Sequence, residues 1–305
     1  MDRIPRELER EPAGTTLAVR PPAHEQPLGE LLRGIGPIGD DDIARIVALQ
    51  AERGLRFGEA ALALGLVQPA QLQQALARQF GYACVDATQH PHLAELSVAT
   101  EPHGECAELW RDLRAQLMLR VPEDVTRRPL ALAIVSPERG DGRTHAAANL
   151  AVAFSQLGER TVLVDADLRS PRLHRLFALP ARPGLSALLA DPGFDLESDP
   201  GLDRIDPLPS LQVLQVGAPP PNPLELLQRG RFGALLEVLA RRFDRVVVDT
   251  PPACDGADAR VIATACGQAL VLARRHRSRA ADLRTLVDAL RRESVDLAGV
   301  VVNGT

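Results

Sequence analysis

Residues 136–145 read SPERGDGRTH, with two glycines, a basic residue and a hydroxyl lying between an apolar run and a helical pattern. That order suits a phosphate cradle. Gly140 and Gly142 can take positive φ and turn backbone N–H groups toward phosphate oxygens, and the following helix brings its positive end. Asp141, Arg143, Thr144 and His145 complete the candidate nucleotide-binding stretch, with Arg143 as its cation and Thr144 as a hydroxyl for Mg²⁺. Pro137 stands where such loops usually carry their first glycine, and an arginine replaces the usual lysine. Taken alone, the stretch also reads as an ordinary strand-to-helix turn.

Three carboxylates change that balance. VLVDADLR ends an apolar run with Asp165 and Asp167, and VVVDTPP ends another with Asp249. In doubly wound sheets ligands sit outside the carboxyl ends of the strands, so these groups should converge on the phosphate loop. There they can hold a hard cation and orient or deprotonate a nucleophile during phosphoryl transfer. A single strand-end aspartate is commonly a helix cap, but loop and carboxylates in this order point to a nucleotide site.

The elements that must position them are short. ALAIVS (131–136), TVLVDAD (161–167), LQVLQVG (211–217), RVVVDTPP (245–252), QALVLA (268–273) and DLAGVVVN (296–303) are strand-like runs. Helix patterns alternate with them, among them THAAANLAVAFSQLG, PLELLQRGRFGALLEVLARRF and RAADLRTLVDALRRES. Continuous apolar runs mean strands covered on both faces, hence a doubly wound, mostly parallel α/β sheet over 129–305 of the P-loop NTPase kind. A small α-helical domain over 28–90 precedes it, and it holds an internal repeat. LGELLRGIGPIGDDDIARIVALQ aligns with FGEAALALGLVQPAQLQQALARQ, matching Gly29 to Gly58, Gly36 to Gly65, Ile43 to Leu72, Val47 to Leu76 and Gln50 to Gln79. Two helix-turn-helix units in tandem would bury their apolar stripes against each other. Residues 91–128 read as a linker with one amphipathic helix, and 1–25 as a disordered, charged and proline-rich tail.

Composition narrows the function classes. A net charge of −5 gives no footprint for nucleic acid, and no apolar run is long enough to span a membrane. The opening MDRIPRELEREPAG lacks the apolar stretch of a signal peptide, so a cytoplasmic protein is expected. Four cysteines, Cys84, Cys106, Cys254 and Cys266, lack metal-ligand spacing. His90 and His92 flank a proline without a carboxylate or cysteine cluster and read as linker residues. RRHRSR (274–279) reads as a solvated loop. The 35 basic residues are all arginine, so compositional bias is one source of Arg143.

The series SPERGDGRT, LVDADLRSPRLHRLF with GLSALL, PPNPLELL, VVVDTPPACDGADA and GVVVN resembles the bacterial tyrosine kinases of exopolysaccharide assembly, in particular the EpsG-type chain-length-determinant kinases. The resemblance covers about 105–305. It implies Mg²⁺-ATP as the phosphoryl donor and Arg143 and Asp165 as catalytic residues. Thr144, Asp167 and Asp249 would be the Mg²⁺ ligands, directly or through water. It further implies an integral membrane chain-length-determinant partner, peripheral placement at the inner face of the plasma membrane through that partner, and ring-shaped self-assembly. The helical series Glu108-x-x-Arg111-x-x-Arg114 would present its charges to a neighbouring subunit in such an assembly.

Two departures bear on mechanism. The chain has one tyrosine, Tyr82, and no terminal tyrosine cluster, so the acceptor is expected to be Tyr82, another protein or water. At position 143 guanidinium keeps the charge of lysine but not its shape. A nucleotide-gated module that transfers no phosphate, and a positioning ATPase of the ParA or MinD type, therefore stay open as alternatives. The N-terminal repeat is also similar to the N-terminal domain of type II secretion and pilus ATPases, some of which bind cyclic di-GMP. Arg56, Gly58 and Gln79 would be its ligand contacts here, while Pro27 replaces the matching arginine of the first copy.

Overall fold

The structure is a computed structural model describing residues 27–79, 84–102, 104–120, 131–198 and 200–304. The tail (1–25), Tyr82 and 121–130 lie outside the described residues. The first helices are α1 (Leu28–Arg33), α2 (Asp40–Arg53), α3 (Phe57–Ala63) and α4 (Pro69–Gln79). The second pair begins 29 residues after the first, the offset of the sequence repeat. Their core expresses the same period: buried Leu31, Leu32, Ile38 and Ile46 correspond to buried Ala60, Ala61, Val67 and Ala75. Larger side chains in the first copy meet smaller ones in the second, so the two units interdigitate rather than duplicate each other.

Next come a 3-10 turn (Pro91–Leu93), α5 (Ser97–Thr100) and α6 (Glu105–Leu119). The first part of the linker expected over 91–128 packs into the core, together with Val85 ahead of it. Val85, Leu93, Leu96, Val98 and Ala99 are buried in one core with Ala147, Leu150 and Phe154, so it straps onto the sheet's helical layer.

The sheet contains β1 (Ala131–Val135), β2 (Thr161–Asp165), β3 (Asp203–Ile205), β4 (Leu208–Leu214), β5 (Arg245–Asp249), β6 (Gly267–Arg274) and β7 (Asp296–Asn303), in the order β3-β4-β2-β5-β1-β6-β7. All neighbours are parallel except the antiparallel β3–β4 edge pair. Every residue of β1 and β2 is buried, as continuous apolar runs require.

One face is covered by α7 (Arg143–Ser155), α8 (Leu173–Leu176) and the strap. The other is covered by α9 (Leu185–Ala190), α10 (Pro223–Gln228), α11 (Arg231–Arg242), α12 (Asp258–Cys266) and α13 (Ala280–Arg292), around Phe232, Leu235, Ile262 and Leu290. The single helical pattern expected over 223–243 breaks into α10 and α11 because Gly230, at φ 76°, turns the chain between them.

Candidate phosphate-binding site

The loop between β1 and α7 wraps the amino end of α7. Gly140 and Gly142 take φ of 80° and 99°, the left-handed region where a Cβ is strained. Gly142 also caps α7. The segment after β5 holds the loop from one side: Ala253 N–H donates to Ser136 O at 2.9 Å, Cys254 N–H to Pro137 O at 3.0 Å, and Arg139 Nε to Asp255 Oδ1 at 2.9 Å. The 274–279 arginine loop, expected to be merely solvated, holds it from the other. Arg274 Nη1 donates to Gly140 O at 3.1 Å and Ser278 Oγ to Asp141 Oδ1 at 2.9 Å.

Asp141 is therefore left to act through its backbone. Its carboxylate is fully buried and also accepts the Glu138 N–H at 3.0 Å, so it shapes the loop and leaves only its backbone to a nucleotide.

Arg143 is 8% exposed and bonded inward: Nε donates to Thr250 O at 2.9 Å, and Nη1 donates to Glu138 O at 2.7 Å and to Ser136 Oγ. Thr250 Oγ1 donates to Ile134 O at 2.7 Å, tying the ends of β5 and β1 together. Nη2 carries no hydrogen bond to a described residue. The forked guanidinium thus braces the loop with two nitrogens and retains a third for an anion, a division that one ammonium nitrogen cannot reproduce.

The carboxylates fall into two groups. Asp167 lines a cavity of about 590 Å³ together with Gly140, Gly142, Arg143, Thr144 and His145. Its Oδ1 accepts the N–H groups of Arg169 and Ser170 at 3.2 and 2.9 Å. A bidentate pair between Arg169 and buried Asp258 fixes that segment against α12.

Asp165, expected to act on the acceptor, has no exposed surface and does not line the cavity. It accepts N–H groups from Asp167, Arg172 and Leu173 at 3.1 to 3.2 Å and so organises the turn carrying Asp167. Burial first, and the neighbouring Asp249 charge second, push its carboxyl well above the usual range.

Asp249, the register partner of Asp165, is pushed up to about 7 by burial, against the influence of Thr144 and Arg143. Neither of its carboxylate oxygens meets a formed hydrogen bond, although the Thr144 hydroxyl lies near enough to favour the charged form. Two buried acceptors without a donor are what a cation or its water shell satisfies. With Asp167 and Thr144 they fit Mg²⁺, which takes one or two carboxylates plus phosphate and water. Among the described residues no group of three His, Cys, Asp or Glu side chains forms an all-protein metal cage.

Several lining residues were not read from sequence as part of a site. Pro91, His92 and Glu95 of the strap enter the cavity wall, as do Arg139, Arg172 and Arg175. His92 is thus part of the cavity wall rather than of a linker. Asn149 on α7 holds the strap, accepting the Val98 N–H at 3.3 Å, and its Nδ2 faces His145 Nε2 at 3.1 Å. Burial lowers the His145 imidazole below its ordinary value, and the ring lies edge-on to Trp110 at 6.0 Å.

The charge series on α6 is turned inward. Arg114 Nη1 donates to Ala153 O at 2.6 Å, and Arg111 pairs with Glu108 and the Pro102 carbonyl. Of the three, only Glu108 has a largely exposed side chain. Both guanidinium groups therefore have partners within the chain.

In the N-terminal repeat, Arg56 precedes α3 with its N–H on Glu59 Oε2, and Gln79 closes α4. A Cβ at Gly58 would lie 2.9 Å from both Leu72 methyl carbons. Helix packing thus accounts for that glycine without a ligand, and cyclic di-GMP gains no support from it.

Fold and site define a P-loop nucleotide-binding α/β protein. No protein-family model matches the chain. Curated relatives do: the tyrosine-protein kinase YwqD of Bacillus subtilis is 33% identical over 209 residues, covering 67% of this chain and 84% of that protein. The kinase domain of the Escherichia coli tyrosine kinase ETK is 30% identical with a TM-score of 0.62, covering 68% of this chain and 79% of that one. The chain belongs to the bacterial tyrosine-protein kinases. It spans only 26% to 28% of the length of longer relatives, among them the tyrosine-protein kinase wzc of Salmonella typhimurium at 31% identity over 69% of this chain.

Proposed function

We propose that this chain transfers the γ-phosphoryl group of ATP to a tyrosine hydroxyl and thereby regulates exopolysaccharide chain length and export. The supporting observation is the single cavity that joins the left-handed glycine loop, Thr144 and Asp167, with the orphaned Asp249 carboxylate beneath it. Backbone N–H groups of 140–144 and Arg143 Nη2 would receive the phosphates. Thr144, Asp167 and Asp249 would hold Mg²⁺, which would neutralise charge on the phosphates. The bond from γ-phosphorus to the ADP oxygen breaks, the bond to the phenolic oxygen forms, and the phenolic proton leaves toward the Asp165–Asp167 turn or water.

No helix among the described residues is long and apolar enough to cross a membrane, which is compatible with peripheral placement through an integral membrane chain-length-determinant partner. Self-association would use surfaces other than the inward-turned Arg111 and Arg114. A nucleotide-gated module without transfer remains the second reading, favoured by the complete burial of Asp165.

Incubating the protein with γ-labelled ATP and Mg²⁺, alone and with a cytoplasmic segment of such a partner, separates the two. Label on tyrosine that is lost in Asp167→Asn supports transfer. Tight ATP binding with no label and no released phosphate in any mixture supports gating.

A further inference from the structure

The cavity's cations are of two kinds. Of its four lining arginines, Arg139 is tied to Asp255 and Arg143 to three acceptors in and beside the loop. The guanidinium groups of Arg172 and Arg175 form no hydrogen bond or ion pair with any described residue. They are exposed and three residues apart on the turn entering α8, so they share a face.

They follow β2, whereas the phosphate cradle follows β1, with β5 between the two strands. The cavity runs from the loop toward the β2 side of the sheet, with walls from the segments after β1, β5 and β2 and none from those after β6 and β7. The loop amides, the α7 terminus, Arg143 Nη2 and a metal on Thr144 and Asp167 already complement a triphosphate. Arg172 and Arg175 follow Asp167 along the chain, on the wall where an acceptor must approach a metal-bound terminal phosphate in line. Pro91 and Leu176 add apolar surface to the cavity, and Glu95 is the strap's opposing charge.

From this we infer that Arg172 and Arg175 dock carboxylates flanking the acceptor tyrosine, so the preferred substrate is an acidic tyrosine segment. The inference rests on the phosphoryl-transfer reading for its meaning but not for its test. Guanidinium groups pair carboxylates through two parallel N–H···O bonds, and free arginines in a partly enclosed cavity lose less to solvent than fully exposed ones.

The test is fluorescence anisotropy of the full chain with Mg²⁺ and a non-hydrolysable ATP analogue, using a labelled peptide with a central tyrosine flanked by glutamates and a matched peptide flanked by serines. Wild type is compared with Arg172→Glu/Arg175→Glu and with Arg172→Gln/Arg175→Gln, each checked for unchanged folding by circular dichroism. The glutamate peptide should bind about tenfold more weakly to the Glu double variant. The Gln variant should fall between, the serine peptide should not respond, and the ADP dissociation constant should stay within about twofold. Equal binding of the glutamate peptide by all three proteins overturns the inference. So does a parallel loss of ADP affinity, which would assign the pair to nucleotide phosphates. With ATP in place of the analogue, a charge-dependent binding difference but no phosphate transfer to either peptide would leave docking standing and sink the kinase reading. Equal transfer to both peptides by every variant would do the reverse.

Discussion

Replacing Arg143 tests whether this side chain is a brace as well as a phosphate ligand. Arg143→Met deletes three hydrogen bonds, to Thr250 O, Glu138 O and Ser136 Oγ, from a residue 8% exposed. At about 1 kcal/mol net per bond, the loss of stability should be about 3 kcal/mol. Arg143→Lys keeps the charge but offers donors from one nitrogen on a different stem, so it should retain one or two of the bonds and cost about 1–2 kcal/mol. The chain has one tryptophan, and Trp110 lies 6.0 Å from His145 beside the loop, so its fluorescence during urea unfolding reports the relevant region. Nucleotide affinity should fall about 10- to 100-fold in Arg143→Met, the worth of one charge-assisted bond to phosphate. A Met variant with unchanged urea midpoint and lost nucleotide binding would refute the brace and leave a phosphate ligand only.

Burial raises Asp249 from its ordinary 3.8 to about 7, so the folded protein without metal keeps a proton that the unfolded chain releases. The stability this proton confers is complete below about pH 4 and is lost as pH rises through 7, on the order of a few kcal/mol in all. Thermal unfolding between pH 4 and 8 should show this decline in wild type, Asp249→Asn should lessen it and leave the part that the raised Asp165 carboxyl contributes, and a decline of the same slope in the variant would assign it elsewhere. Gly58→Ala should cost about 1–3 kcal/mol through its collision with Leu72, read as a lower melting temperature; no change would mean that the Leu72 side chain moves aside freely. Asn149→Ala strands the Val98 N–H and should loosen the strap by about 1–3 kcal/mol, visible as faster amide exchange over 84–100.

The strand ends were legible because continuous apolar runs leave a chain few options, and a carboxylate closing such a run falls at the sheet's ligand edge. The glycine loop was legible for the same reason. The repeat was legible from its period, and the structure carries that period into paired core positions such as Leu31 with Ala60. The strap was not: Val85, Leu93 and Leu96 are spaced without strand alternation or a sustained helical stripe, and tertiary packing into the core shared with α7 buries them. β3 escaped because three residues on an antiparallel edge carry no pattern. The inward turn of Arg114 and the freedom of Arg172 could not be read either, since sequence gives an arginine's charge but not its partner. Asp165 and Asp167 look alike in sequence. Which one faces the cavity is decided by the N–H groups at 172 and 173, which fold back onto Asp165.

In the proposed function the loop, Thr144, Asp167 and Asp249 together make one Mg²⁺-nucleotide site. Calorimetric titration of ADP into the protein, with Mg²⁺ and with EDTA, tests it most directly. Binding should tighten at least about tenfold with Mg²⁺ in wild type and lose that gain in Asp249→Asn. Equal affinity with and without the metal, or a Mg²⁺ gain that survives in Asp249→Asn, would contradict it.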